Sequence, residues 1–187
     1  MTNALKYHKK HFELADDAGK FVACTNVGLV LGSLGKVSEA AKSHQDALRL
    51  AIKLQSTYGQ SLAVGNLSLL ASRQVSIEYV LPKMDNSGRR KQEDYTTANA
   101  CMDQHLQLVQ TLNDFSAESR AWTELGILAD REHKHEQAAR YFEQAYNVAA
   151  NVQENGTQSQ ALCHMGIALG NQAIAAHTTQ LLENIQS

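Results

Sequence analysis

Residues 122–146 read WTELGILADREHKHEQAARYFEQAY, and residues 24–48 read CTNVGLVLGSLGKVSEAAKSHQDAL. Both stretches place an alanine, a large ring and a second alanine at identical offsets after a glycine. These residues are Ala138, Phe142 and Ala145 after Gly126, and Ala40, His44 and Ala47 after Gly28. Small residues let two helices approach closely, while a ring fills the space between them. The pattern therefore predicts an internal repeat built from pairs of antiparallel helices.

The same spacing continues along the chain. Ser68 follows Gly28 by the same distance as Gly166 follows Gly126, and the chain opens on half a copy. In the copy at Ser68 the alanine of the second helix, Ala98, comes much later than in the other copies. This delay places an insertion at about 76–93. Because Pro82–Glu93 holds the only proline and many turn-forming and charged residues, we expect an exposed loop there.

We therefore expect one solenoid domain over residues 1–187. Its repeats are predicted at 1–17 (partial), 18–55, 56–113 with the insertion, 114–153 and 154–187 (degenerate or capping). Helices are predicted at 3–15, 18–34, 37–54, 58–81, 92–112, 116–132, 135–152, 157–172 and 174–186. Gly35 and Gly156 are expected at turns or caps, and Asp114 or Ser116 is expected to cap the helix that carries Trp122.

Composition favours helices and argues against several classes of partner. One proline and 6% aromatic residues are typical of an all-α protein. A net charge of −2 supplies no basic field for nucleic acid, and the longest apolar runs fall far short of the roughly 18 residues that a membrane span requires. The three cysteines are far apart, which predicts neither a disulfide framework nor a zinc site. We expect no nucleic acid, membrane, metal ion or cofactor as a partner.

The alternation of helix, short turn and helix resembles the tetratricopeptide repeat. The residues that carry the resemblance are Trp122, Leu125, Gly126, Ala138, Phe142 and Ala145 in one copy and Gly28, Gly35, Ala40 and Ala47 in another. The repeat period is longer than the family's usual period of about 34, and the proline that commonly ends a repeat is missing. Long repeats of this kind are similar to those of the LGN/Pins adaptors of cell polarity and of ciliary and cytoskeletal repeat proteins. The resemblance implies an all-α, right-handed solenoid of antiparallel helix hairpins.

The resemblance also implies a concave face, lined by the first helix of each repeat, that binds a peptide or helix of a partner. Counting from the leading glycine gives the candidate residues Thr25, Asn26, Leu29, Asn66, Leu69, Arg73, Arg120, Thr123, Glu124, Ile127, Arg131, His164, Ile167 and Asn171. The aliphatic members would form an apolar floor, and the arginines would pair with acidic residues of the partner. In many family members an asparagine two residues before the glycine binds the peptide backbone, and Asn26 and Asn66 hold that position. The alternative is that these are ordinary solvated helix faces, with the arginines paired to acids of the same chain.

The expected function is that of a cytoplasmic, non-catalytic scaffold or adaptor for a protein or peptide partner, with cytoskeletal or ciliary complexes as one setting. One alternative is a regulatory receptor for a short signalling peptide. Because the ends of a solenoid leave apolar helix faces uncovered, self-association or larger assembly through the open ends is a further expectation.

The second alternative is an enzyme that uses His133, His135 or His164 with a metal ion. The chain lacks the spaced histidine pair of a helical zinc motif, and it contains no nucleophile or phosphate-binding motif, so we expect no catalytic residue. Four other histidines fall at predicted helix-packing positions: His8, His11, His44 and His105.

Overall fold

A computed structural model describes the backbone of residues 2–80 and 88–186 and the side chains of residues 3–73 and 95–184. Within the described backbone the chain is all-α, as predicted. The helices are α1 (Thr2–Leu14), α2 (Asp17–Ser33), α3 (Val37–Lys53), α4 (Thr57–Val80), α5 (Gly88–Thr111), α6 (Phe115–Arg131), α7 (His135–Asn151) and α8 (Asn155–Gln186). None of these eight helices is both long enough and apolar enough to cross a lipid bilayer.

The helices form two compact units, Met1–Leu112 and Asn113–Ser187. In the first unit α1 to α5 pack in sequence order, each against the next, and α2 also contacts α4. In the second unit α6 packs on α7 and α7 on α8, and α6 also contacts α8. Sequential antiparallel hairpins with contacts between neighbours are the packing of a helical repeat, so this part of the prediction is confirmed. The proposed repeat bounds stay a prediction.

The α2–α3 turn ends α2 with a Schellman cap. Gly35 has a left-handed φ of 73°, and its N–H donates to the carbonyl of Gly32 at 3.1 Å. The N–H of Lys36 donates to the carbonyl of Leu31 at 3.0 Å. These two bonds satisfy carbonyls that the end of a helix otherwise leaves unpaired.

The α3–α4, α6–α7 and α7–α8 turns repeat both bonds of this cap. Their left-handed residues are Gln55 (φ 53°), His133 (φ 60°) and Gln153 (φ 57°). Glycine adopts this conformation most easily, yet of these four turns only the α2–α3 turn uses one. The expectation that Gly156 lies at a turn is therefore corrected: Gly156 lies in the first turn of α8, and Gln153 is the left-handed residue.

Side-chain caps fix the starts of three helices. The Asp16 carboxylate accepts from the N–H of Gly19 at 2.8 Å, and the Asp114 carboxylate accepts from the N–H of Ala117 at 3.0 Å. The Ser56 hydroxyl accepts from the N–H of Gly59 at 3.0 Å. Each cap satisfies one backbone donor that the first turn leaves without an intrahelical partner. Asp114 thus provides the predicted cap of the helix that carries Trp122.

The structure corrects two helix predictions. Residues 88–93, expected in a loop, belong to α5, and residues 82–87 of the same predicted loop lie outside the described residues. Residues 157–172 and 174–186, expected as two helices, form the single helix α8. Gly170 lies near this predicted turn, but no described residue there adopts a left-handed φ, so the helix continues.

Two hairpins bury a ring against a glycine, as predicted. A Cβ atom added to Gly28 would lie 2.5 Å from Cε1 of His44, and one added to Gly126 would lie 2.5 Å from Cε1 of Phe142. Both rings are fully buried. Only glycine allows such close approach of the opposing helix, so these pairs set the spacing of the α2–α3 and α6–α7 hairpins.

The other two copies pack differently. In the α4–α5 hairpin the glycine is Gly65, whose added Cβ would lie 2.8 Å from His105; Ser68, the residue aligned by spacing, is buried nearby in the same helix. Around Gly166 an added Cβ would meet no atom within 4 Å. The prediction that Gly166 repeats the surroundings of Gly126 is wrong, because α8 does not turn back to supply a second helix.

Candidate functional site

The first candidate surface lies on α2 and α4, which contact each other in the first unit. Each helix carries an asparagine with one aliphatic residue four positions before it and another three positions after it, a spacing that places all three side chains in one row. The rows are Val22, Asn26 and Leu29 on α2 and Leu62, Asn66 and Leu69 on α4. We call these six residues the α2–α4 face.

All four aliphatic side chains of the α2–α4 face are exposed. The exposed fractions are 46% for Val22, 49% for Leu29, 38% for Leu62 and 37% for Leu69. Single exposed aliphatic residues are common on protein surfaces, but several at equivalent positions of contacting helices make a patch of the kind that binds other proteins.

The polar groups beside this patch differ in availability. The side-chain nitrogen of Asn66 is buried and has no hydrogen-bond partner among the described residues, whereas Asn26 is half-buried. The hydroxyl of Thr25, which sequence spacing also assigned to the groove, is committed to the carbonyl of Phe21 at 2.9 Å. Arg73 is exposed, one turn beyond Leu69. The face therefore offers one exposed guanidinium, while the unsatisfied amide nitrogen of Asn66 is closed to solvent until its side chain rotates.

The second candidate surface, on α6 and α8 of the second unit, is less available. The hydroxyl of Thr123 is buried and donates to the carbonyl of Ser119 at 2.9 Å, and Ile127 packs against the core that includes Phe142. Glu124 and Arg131 are half-buried and interact within the chain. Most candidates on α6 thus serve the protein's own packing.

On α8 two of the three predicted site residues are also engaged. The ring of His164 stacks on Phe142, with centroids 5.2 Å apart and an angle of 18° between the planes. The amide of Asn171 donates to the carboxylate of Asp130 at 3.4 Å. Ile167 is exposed. Among the predicted site residues of this unit, only Ile167 and Arg120 have exposed side chains.

Arg120 also lies in the field of an acid of its own unit. Hydrogen bonds from the side chains of Ser116 and Thr157 lower the pKa of Glu154, and the charge of Arg120 lowers it further. Glu154 therefore already offsets part of the positive charge that Arg120 would present to an acidic partner.

The histidines divide into packing and surface groups. His44 is buried and His105 lies against Gly65, as predicted, while His8 is half-buried. His11 is exposed, yet its Nε2 would lie 3.4 Å from a Cβ added to Gly19 of α2, so it still packs on a neighbouring helix. Burial lowers the pKa of His44 to about 4, because the charged imidazolium would lose its hydration.

The histidines of the metal-enzyme alternative have partners of other kinds. Nδ1 of His135 lies 2.6 Å from a carboxylate oxygen of Asp130, and the rings of His133 and His135 meet edge to face with centroids 5.8 Å apart. Within the described side chains, no three His, Cys, Asp or Glu residues are placed so that they could hold a metal ion.

Two side-chain links in the second unit escaped prediction. Asp130 joins three helices, since it accepts from Asn171 of α8 and contacts His135 of α7 from its own position on α6. The hydroxyl of Ser119 donates to the carbonyl of Ala145 at 2.8 Å and ties α6 to α7. The partners in these links share no motif, so the repeat pattern carried no signal for them.

Two clefts among the described residues of the first unit are small. One of about 260 Å³ is lined in part by Phe12 and Cys24, and another of about 290 Å³ lies among α3, α4 and α5. Ligand pockets usually measure roughly 300–1,000 Å³. Burial raises the pKa of Cys24, which keeps its thiol protonated and poorly nucleophilic. Neither cleft shows the features of an active site.

Neither a scan against models of known protein families nor a search of curated proteins found a match for this chain. A functional assignment therefore rests on the geometry of the candidate faces.

Proposed function

We propose that the chain is a non-catalytic protein-interaction module of the tetratricopeptide-repeat type, which binds a segment of a partner protein on the α2–α4 face. The observation that carries the proposal is the repeated row on α2 and α4, in which exposed aliphatic residues lie on either side of an asparagine at corresponding positions. Hairpin repeats are a common scaffold for such extended binding surfaces. A cytoplasmic setting and a cytoskeletal or ciliary role rest on the resemblance alone.

The side chains of the α2–α4 face indicate which residues a partner segment should carry. Leu29 and Leu69 favour aliphatic or aromatic side chains, which lose contact with water on binding. The amide nitrogen of Asn66 lacks an acceptor, and rotation of this side chain towards the face would let a backbone carbonyl of the bound segment supply one. Arg73 favours an acidic residue at the end of the segment, because a guanidinium pairs with a carboxylate through two parallel hydrogen bonds.

A display library of random peptides, selected on the full chain, tests the proposal. Peptides that bind should lose at least about tenfold in affinity in the double variant Leu29→Asp/Leu69→Asp, because carboxylates replace the apolar floor. The matched control is Ile52→Asp/Leu54→Asp, which places the same two charges at exposed aliphatic positions near the end of α3, outside the face. Fluorescence anisotropy with a labelled peptide measures each affinity.

The outcome that contradicts the proposal is equal binding by the double variant and by the native chain, or a library that yields no binder. Replacement of Asn66 by alanine should weaken binding about five- to tenfold, the value of one hydrogen bond. A natural ligand that proves to be a short free peptide would assign the chain to the peptide-sensing receptors, the alternative with the same binding face.

A further inference from the structure

The second half of α8 extends beyond the hairpin that supports it. Ala161 and Ala168 are buried, and Asn171 is the last half-buried residue of the helix among its described side chains. Every residue from Gln172 to Asn184 is exposed. With a rise of about 1.5 Å per residue, this exposed part is roughly 20 Å long. An isolated helix of that length is marginal in water, so a binding partner would stabilise it.

A row of large aliphatic side chains runs along the exposed side of α8. Ile167, Ile174 and Leu181 follow one another at intervals of seven residues and are 52%, 66% and 48% exposed. Seven residues make almost two full helical turns, so the three side chains lie on nearly the same side. Gly170 lies between the first two and leaves a gap in the row, since an added Cβ there would meet no atom within 4 Å. We call Ile167, Ile174 and Leu181 the α8 row.

The charge of α8 restricts what can cover this row. Across Asn155–Gln186 the only Asp, Glu, Lys or Arg residue is Glu183. A strongly charged partner would find almost no opposite charge, whereas a second copy of α8 would meet almost no repulsion. The row is also symmetric, because Ile167 and Leu181 are equally distant from Ile174 in the sequence.

We propose that two copies of this chain pair through the α8 row, with the helices antiparallel and the two-fold axis at Ile174. In this arrangement Ile174 meets the partner's Ile174, and Ile167 meets the partner's Leu181. Glu183 lies on the side of α8 opposite the row and does not select an orientation. In an antiparallel pair the negative end of each helix dipole lies beside the positive end of the other, so electrostatics favours this orientation. Such an interface is isologous, with the same patch on both copies.

The size of the interface sets the expected affinity. Antiparallel helices centred on Ile174 overlap from Leu162 to Gln186, a strip roughly 36 Å long and about 10 Å wide. Its footprint of roughly 360 Å² per copy is below the roughly 800 Å² per partner of a standard interface. We therefore expect a weak, reversible dimer. Because the strip is almost free of charge, its dissociation constant should change little with salt concentration.

Sedimentation equilibrium of the full chain, from about 10 to about 500 µM, tests the pairing. The native chain should pass from monomer to dimer over this range. Ile174→Glu places two carboxylates at the two-fold axis and should weaken association at least about tenfold. Gln172→Glu is the matched control, since it adds the same charge on the opposite side of α8 and should leave association unchanged.

Disulfide cross-linking tests the orientation, in a Cys163→Ser background that removes the exposed thiol. Ile174→Cys should cross-link to itself under mild oxidation. Ile167→Cys and Leu181→Cys should cross-link when mixed, and each should do so poorly alone. Strong self-linking of Leu181→Cys would overturn the antiparallel arrangement.

Two results would overturn the pairing itself. One is a chain that stays monomeric at every concentration, and the other is a dimer that survives Ile174→Glu. Peptide binding by the α2–α4 face involves other residues in the other unit, so failure of either proposal can be recognised separately. Circular dichroism of Ile174→Glu checks that the helices remain folded.

Discussion

At the scale of single residues, the buried ring of a hairpin determines how the protein responds to acid. His44 occupies the place in α3 that Phe142 occupies in α7, and each lies against a glycine of the preceding helix. A phenyl ring has no proton to gain, but an imidazole does. Within the described side chains Nδ1 of His44 is buried without a hydrogen-bond partner, so no carboxylate stabilises the charged form.

We expect acid to destabilise the protein through His44. Its pKa is about 4 in the folded state and about 6.5 when unfolded, so the unfolded chain binds the proton first as the pH falls. The free energy of unfolding should decrease between about pH 6.5 and pH 4 by about 3 kcal/mol in total. Denaturant unfolding at a series of pH values measures this slope. His44→Phe should remove it, whereas His177→Phe, at an exposed position, should retain it.

A pair of glycines in the second unit tests how local packing determines the effect of one methyl group. Gly126→Ala places a Cβ against Phe142 and should destabilise the protein by about 1–2 kcal/mol, the cost of overpacking less the gain in helix propensity. Gly166→Ala adds the same atom to open space and should stabilise α8 by about 0.5–1 kcal/mol. Thermal unfolding measures both changes. Equal effects would contradict the different surroundings of the two glycines.

At the scale of helices and turns, the three Schellman caps with a left-handed residue other than glycine carry local strain. His133→Gly should stabilise the α6–α7 hairpin by up to about 1 kcal/mol, because glycine adopts a positive φ without a steric cost. Gly35→Ala should destabilise the protein by a similar amount. The added methyl group meets no other atom, so the cost comes from the left-handed backbone conformation alone. Melting temperatures of the two variants test this, and destabilisation by His133→Gly would show that the His133 ring makes a more valuable contact.

Sequence periodicity predicted the helices well where a turn signal accompanied it. Asp16, Asp114 and Gly35 lie at helix ends that the spacing had placed within a residue or two. The period alone failed after Gly166, where it predicted a turn that no cap or left-handed residue provides. A repeat pattern reports which residues are small or large, but a hairpin also needs a turn and a second helix.

The same distinction applies to the candidate site. Spacing correctly identified Leu29, Leu69 and Ile167 as exposed side chains on first helices. It could not separate them from Thr25 and Thr123, because a hydroxyl that bonds to its own helix and one that faces solvent look alike in a sequence. Exposure depends on the neighbouring helix, which the spacing does not specify.

At the scale of the whole molecule, net charge should control non-specific aggregation, which is distinct from pairing through the α8 row. The isoelectric point is about 6.4, where positive and negative charges balance and repulsion between copies is smallest. Light scattering per unit mass should therefore be highest near pH 6.4 and fall by pH 8. Added salt should reduce the difference in scattering between these two pH values, because salt screens the net charge at the higher pH. Scattering that does not change with pH would contradict this expectation.

The glycine–ring contacts have a mechanical consequence. Sliding one helix of the α6–α7 hairpin by a single residue, about 1.5 Å, would drive the Phe142 ring towards backbone that carries a Cβ, so movement along the helix axes is blocked. The α7–α8 contact has no such interlock at Gly166, where the backbone faces open space. When this unit bends under load, most of the movement should occur between α7 and α8, while α6 and α7 move together as one rigid pair.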